Sequence, residues 1–215
     1  MNANIAVDGV EYVVALPDPE DHIQKHLLLG TPYEWGMLRH MANRVGSGLV
    51  VDAGANIGNH ALYLAARGAE VVAFEPDPVL AACIRVSADL NGLRHLEVFE
   101  EGLGSERTTA RLVAPDEGNV GMTSLKVGTG TIPVFPLDDF RLAPVAIKID
   151  VEGMELKVLH GARETIALHR PLLYVEAHAD AYATLAEWMA DHDYERRARF
   201  NATPTYYFAP KERDE

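Results

Sequence analysis

Five short apolar runs in this chain each lead into acids. Asp52 follows L-V-V, Glu75 follows V-V-A-F, Glu101 lies just beyond L-E-V-F, Asp150 follows A-I-K-I, and Glu176 follows L-L-Y-V. Glu152 and His178 stand two residues past the last two tips. Carboxylates and an imidazole gathered in this way can take a proton from a hydroxyl, bind the paired hydroxyls of a ribose, or face a cation. Asp150, Glu152, Glu176 and His178 are the candidate proton acceptors, with His178 the preferred imidazole base. Such a group must come within about 2.6 to 3.2 Å of the proton it removes. Asp150 is better read as orienting a ligand than as acting alone. Lys148, inside the fourth apolar run, reads as a charge partner beneath the acids.

These residues need elements that bring them together. Leu49–Val51 reads as a buried strand, followed by D-A-G-A-N-I-G, in which Gly54, Ala55, Asn56 and Gly58 allow a sharp turn and a close ligand approach. A helix then carries Ile57, Ala61, Leu62 and Leu64–Ala66, and 69–74 is a second strand. Pro76 and Pro78 fix the exit turn after Glu75. Val79–Leu90 reads as a helix with Ala82, Cys83, Val86 and Leu90 turned inward. Further strands are expected at 96–99, 108–113, 132–135, 145–149 and 171–175, with helices at 154–168 (bent at Gly161) and 181–192. A closing hairpin covers 194–208. Five strand–helix alternations and a hairpin make an α/β fold: a three-layer, mostly parallel sheet with an antiparallel C-terminal edge. In such a sheet ligands bind at the carboxyl ends of the strands, so residues far apart in sequence should converge there.

Residues 1–48 read as an accessory segment on the main domain, 49–215. Asp8-Gly9 predicts a hairpin, and Trp35, Leu38, Met41, Ala42 and Val45 share one face of a helix over 33–45. This segment is placed to form a lid, in which Tyr33 or Trp35 would stack on a ligand. The stretch 114–130, with N-V-G-M-T-S at 119–124, is glycine-rich and polar and is expected to be mobile or ordered by a ligand.

Composition narrows the function classes. A single cysteine, Cys83, leaves no internal disulfide and no multi-cysteine metal site. A net charge of -13 argues against a large nucleic-acid footprint. The N-terminal residues carry neither a basic region nor a long apolar core, and no stretch reaches the roughly 18 apolar residues of a membrane span. A cytoplasmic enzyme, monomeric or homodimeric, that touches neither membrane nor nucleic acid is expected.

The glycine turn lacks the G-x-G-x-x-G of a dinucleotide site and the G-K-[ST] of a phosphate loop. Acids at 52, 75, 150 and 152 would also disfavour a phosphate. A cationic cofactor suits them, and S-adenosylmethionine offers a sulfonium, an ammonium, a ribose and an adenine. Glu75 would take the ribose hydroxyls, the carboxylate of Asp52 the amino-acid end, and the loop with Glu101 and Gly102 the adenine. V-D-A-G-A-N-I-G-N, A-F-E-P-D-P, I-P-V-F-P-L-D-D-F, I-K-I-D-V-E-G-M-E-L-K-V-L-H-G-A and L-Y-V-E together resemble the FkbM family of S-adenosylmethionine-dependent methyltransferases. The resemblance spans about residues 49 to 177 and implies a Rossmann-like methyltransferase sheet that O-methylates hydroxyls of natural products or sugars. It carries Asp52, Gly54, Asn56, Gly58 and Glu75 over as cofactor residues, and Asp150 and Glu152 as strand-tip acids facing cofactor and substrate. Some methyltransferases hold substrate hydroxyls on Mg²⁺ with such acids, but no metal is expected here. The competing readings are N-methylation of an amine, a nucleotide-dependent oxidoreductase, and a binding protein without turnover.

Overall fold

The Asp8-Gly9 turn, with positive φ at both residues, joins β1 (Asn2–Val7) to β2 (Val10–Ala15) in register from Val7↔Val10 to Asn2↔Ala15. A short helix unforeseen in the sequence, α1 (His22–Leu27), follows; Asp21 caps it by accepting the N–H groups of Ile23 and Gln24. Then come α2 (Trp35–Val45), β3 (Leu49–Ala53), α3 (Asn59–Ala66), β4 (Glu70–Phe74), α4 (Pro78–Asn91) and β5 (Leu96–Phe99). Four short strands precede the next main strand: β6 (Gly102–Leu103), β7 (Thr108–Val113), β8 (Ser124–Val127) and β9 (Ile132–Phe135). The chain ends with β10 (Ala146–Ile149), α5 (Glu155–Gly161), α6 (Arg163–His169), β11 (Leu172–Glu176), α7 (Tyr182–Asp191), β12 (Tyr194–Phe200) and β13 (Thr205–Pro210). This computed structural model describes residues 1–113 and 123–212, so most of the expected mobile stretch, Asn119–Met122 included, lies outside the described residues.

The main sheet has seven strands in the order β12-β13-β11-β10-β3-β4-β5. β11, β10, β3, β4 and β5 run parallel, and the β12–β13 hairpin adds antiparallel to β11. Adjacent residues on a strand face opposite layers. Val50, Ala73 and Tyr174 join the core under α2, α3, α4 and the β1–β2 hairpin. Val51, Phe74, Leu173 and Val175 join the core under α5, α6 and α7. The expected largely parallel sheet with an antiparallel edge is thus the observed one.

Three details depart from the sequence reading. Between β5 and β10 the expected strands at 108–113 and 132–135 form as β7 and β9, before a 3₁₀ turn at Leu137–Phe140, but β6 and β8 join them in a separate four-stranded sheet. The inward face of α4 is Leu80, Ala81, Ile84, Ser87 and Ala88, whereas Val86 and Leu90 are half exposed. The reason is the hairpin: Asn91 accepts from Val13 N–H and donates to Val13 O, and Ser87 Oγ accepts from Ala15 N–H. These side chains stand in for a neighbouring strand along the edge of β2 and fix the helix phase. Finally, α2 begins at Trp35 rather than Tyr33, because Glu34 adopts a left-handed backbone with φ 56°.

Candidate functional site

The β3–α3 turn builds one wall of a cavity of about 460 Å³ at the carboxyl ends of the parallel strands. Gly54 and Ala55 both donate their N–H groups to Phe74 O, folding the turn back over β4. Gly54 has φ +78°, and a Cβ there would lie 1.8 Å from Asp150 O, so this glycine lets the β3 and β10 exits touch. Asn56 donates its N–H to Glu75 Oε2 at 2.7 Å, while Glu75 Oε1 accepts Asp77 N–H at 2.9 Å. Each Glu75 oxygen therefore keeps acceptor capacity. The residue is 6% exposed, and burial pushes its carboxyl up to about 7. The two N–H groups pull it down, and Asp77 and Asp52 add to the rise.

Beneath the turn, Lys148 is fully buried with Nζ 3.2 Å from Asp52 Oδ1 and 3.3 Å from Asp150 Oδ2. It also donates to Gly54 O at 3.2 Å, so its ammonium is enclosed by two carboxylates and a backbone carbonyl. Burial disfavours this cation, but Asp52, Asp150 and Glu34 outweigh burial and hold its pKa above the ordinary lysine value. At the opposite rim, burial lifts Glu152 to about 7, reinforced by Asp150 and Glu155 and opposed by Lys148. Burial and then Asp150 raise Glu176 further, to about 9. Glu176 therefore holds its proton more firmly than an ordinary glutamate, whereas Asp150 pairs with Lys148.

Most of the residues picked from sequence meet at this cavity: Gly54, Ala55, Asn56, Glu75, Pro76, Glu101, Gly102, Asp150, Glu152, Glu176 and His178 all line it. Asp52 and Gly58 do not. Asp52 is 0% exposed under the turn, and its visible partner is Lys148. Gly58 starts α3, where a Cβ would press on Ile84 and Leu62, so its smallness serves packing. Trp35 stands edge-on to Tyr63 and does not reach the cavity, whereas Tyr33 does. A second cavity of about 280 Å³ shares Glu152, Glu176 and His178 with the first and adds Leu156, Ala177 and Leu185. Two cavity residues were not singled out by the sequence: Glu34, which falls within the helix expected over 33–45, and His60, which reads as a packing or surface residue. Their side chains are 9% and 7% exposed, with His60 Nε2 3.3 Å from Glu34 Oε2.

The FkbM methyltransferase domain matches residues 52–196, two thirds of the chain. The chain belongs to the FkbM methyltransferase family. It is similar to the crystal structure of methyltransferase FkbM from Methylobacillus flagellatus KT, with 27% identity and a TM-score of 0.57. That alignment covers 76% of this chain and 44% of the other, so this chain spans less than half of that protein. Precorrin-6y C5,15-methyltransferase from Geobacter metallireducens GS-15 shares 15% identity over 83% of this chain and 88% of its own, with a TM-score of 0.53. The Pyrococcus abyssi tRNA (uracil-54, C5)-methyltransferase in complex with S-adenosyl-L-homocysteine shares 16%, covering 97% and 43%, at the same TM-score. These two share the fold alone. No curated protein matches the sequence. Among the described residues no helix is long and apolar enough to cross a membrane, and no group of three or more His, Cys, Asp and Glu is arranged to hold a metal ion.

Proposed function

We propose that this FkbM-family chain transfers a methyl group from S-adenosylmethionine to a hydroxyl of a small molecule, a natural product or a sugar. The observation that carries the reading is Glu75. It is a nearly buried carboxylate in the cavity wall with two oxygens short of donors and a pKa lifted to about 7. Vicinal ribose hydroxyls supply the two missing donors and relieve the cost of burying the charge. The surrounding acids fit the rest of such a ligand, because Lys148 is buried and paired with Asp52 and Asp150, which leaves no free cation for a phosphate, and Glu152 favours positive charge once ionised. The β3–α3 turn would lie alongside the cofactor, and Glu101 and Gly102 would flank the adenine.

The cofactor brings a methyl group on a positively charged sulfur, an electrophile that needs no further activation. The chain must hold the acceptor oxygen in line and take its proton as the oxygen–methyl bond forms and the carbon–sulfur bond breaks. Glu152 is suited to that role. Its pKa of about 7 leaves it ionised just above neutrality, and it lies between the main cavity and the smaller one, where the acceptor would sit. His178 flanks the same passage and would orient the acceptor. Glu176, whose carboxyl is pushed up by burial and by Asp150, would steady Asp150 rather than take a proton.

The test is titration calorimetry with S-adenosylhomocysteine, followed by methyl transfer to a panel of hydroxylated acceptors. Micromolar binding and a Glu152→Gln variant with about 100-fold lower kcat and unchanged product affinity support the reading. Absence of binding overturns it.

A further inference from the structure

The N-terminal segment lies outside the matched domain, yet it places a carboxylate in the cavity wall. Asn59, the first residue of α3, grips Tyr33 from both sides: its Oδ1 accepts Tyr33 N–H and its Nδ2 donates to Tyr33 O, each at 2.9 Å. Glu34 follows in a left-handed conformation that sends its side chain inward, where it is 9% exposed. Among the described residues no lysine or arginine lies within 4 Å of it. Its neighbour is His60, whose buried Nε2 stands 3.3 Å away and completes no hydrogen bond. Lys148 feels the charge of Glu34 but is ion-paired with Asp52 and Asp150 and donates to Gly54 O. Across the cavity, Tyr33 is raised by burial and then by Glu34, Glu176 and Asp150, so the segment faces the strand-tip acids. A carboxylate this buried with no full counter-charge is costly to maintain. An ammonium group supplied by a ligand removes that cost.

We propose that Glu34, backed by His60, is the seat of a primary ammonium group of a ligand in the cavity. The inference rests on the methyltransferase reading and leaves two sources: the amino-acid end of the cofactor or an amine on the acceptor. In both cases the N-terminal segment, which lines the cavity with His22, Ile23, Tyr33 and Glu34, contributes to the binding site and is more than a cover.

Glu34→Gln separates them. Calorimetry with S-adenosylhomocysteine and with its des-amino analogue is run on the wild-type protein and the variant. A loss of about 10- to 100-fold in S-adenosylhomocysteine affinity, with the analogue's affinity unchanged by the substitution, assigns the ammonium to the cofactor. Unchanged S-adenosylhomocysteine affinity, with KM raised only for amine-bearing acceptors against their amine-free counterparts, assigns it to the acceptor. Unchanged values for both overturn the proposal while leaving the methyltransferase reading intact. A wild-type protein that binds no S-adenosylhomocysteine overturns both. Circular dichroism and the unchanged analogue affinity show that the variant is folded.

Discussion

Glu75 gives the sharpest test, because its geometry sets both the sign and the size of a pH effect. In the free protein its carboxyl titrates near 7, since burial costs more than the N–H groups of Asn56 and Asp77 return. Two ribose hydroxyls donating to the ionised form would bring it back towards the ordinary 4.5. Binding would then expel a proton while the solution pH lies between about 4.5 and about 7. Linkage makes affinity rise with pH, by about tenfold between pH 6 and pH 8, or about 1.4 kcal/mol. Glu75→Gln removes the titration and turns one acceptor into a donor facing either Asn56 N–H or Asp77 N–H. That mismatch, with the lost charge on the ribose bonds, should weaken S-adenosylhomocysteine about 10- to 100-fold at pH 8. Calorimetry at pH 6 and 8, in two buffers of different ionisation enthalpy, reads affinity and proton release together. If the variant keeps the same pH slope as the wild type, the proton belongs to another group and the assignment of Glu75 fails. A flat wild-type profile fails it equally.

Three further outcomes follow from the same groups. Glu75, Glu152 and Glu176 hold protons in the folded state well above the pH at which unfolded glutamates release them, so the folded chain binds more protons between about 4.5 and 9. Their contribution to stability must therefore decline as pH rises through that window. Thermal melts of the ligand-free protein should show a higher Tm at pH 6 than at pH 9, with Glu176→Gln flattening the upper part; the opposite order refutes the buried-acid picture. Gly54→Ala should cost at least about 3 kcal/mol in urea unfolding, because a Cβ would enter the space of Asp150 O in a backbone region alanine avoids. A cost under about 1 kcal/mol would mean the β3 and β10 exits are not held together. Lys148→Met strands Asp52 and Asp150 and should cost about 3–5 kcal/mol, part of it recovered by adding Asp52→Asn.

What could be read from sequence was local or periodic. The Asp8-Gly9 turn, the glycine turn after Asp52 and the apolar strand runs each carry their geometry in a few adjacent residues, and the five acid-tipped strands follow from the alternation. The phase of α4 was not legible. The helix carries two apolar stripes, and only the hooks from Ser87 and Asn91 to β2, more than 70 residues away, decide which one is buried. Asp52 was legible as a strand tip but not as a residue sealed under the turn, since its burial depends on Lys148 of β10 crossing beneath it. Glu34 carried no signal because its inward turn depends on a positive φ and on the Asn59 clamp, neither of which has a pattern along the chain.

Electrostatics also separates the two cofactor classes that such sheets carry. A dinucleotide would lay two phosphate charges against the β3–α3 turn, where Glu75 already occupies Asn56 N–H and Gly54 and Ala55 donate to Phe74 O. The amides that would cradle a phosphate at the first three turn residues are thus used inside the protein, and Lys148 is buried between Asp52 and Asp150. Each phosphate would also approach Asp150, Glu152 and Glu34 without a compensating cation. A sulfonium and an ammonium meet the same groups with attraction. Nicotinamide dinucleotides should therefore fail to displace S-adenosylhomocysteine in a competition titration, even at a thousandfold excess. Displacement at comparable concentrations would mean that the turn reopens to free its amides, and the argument from acid surplus would fall with it.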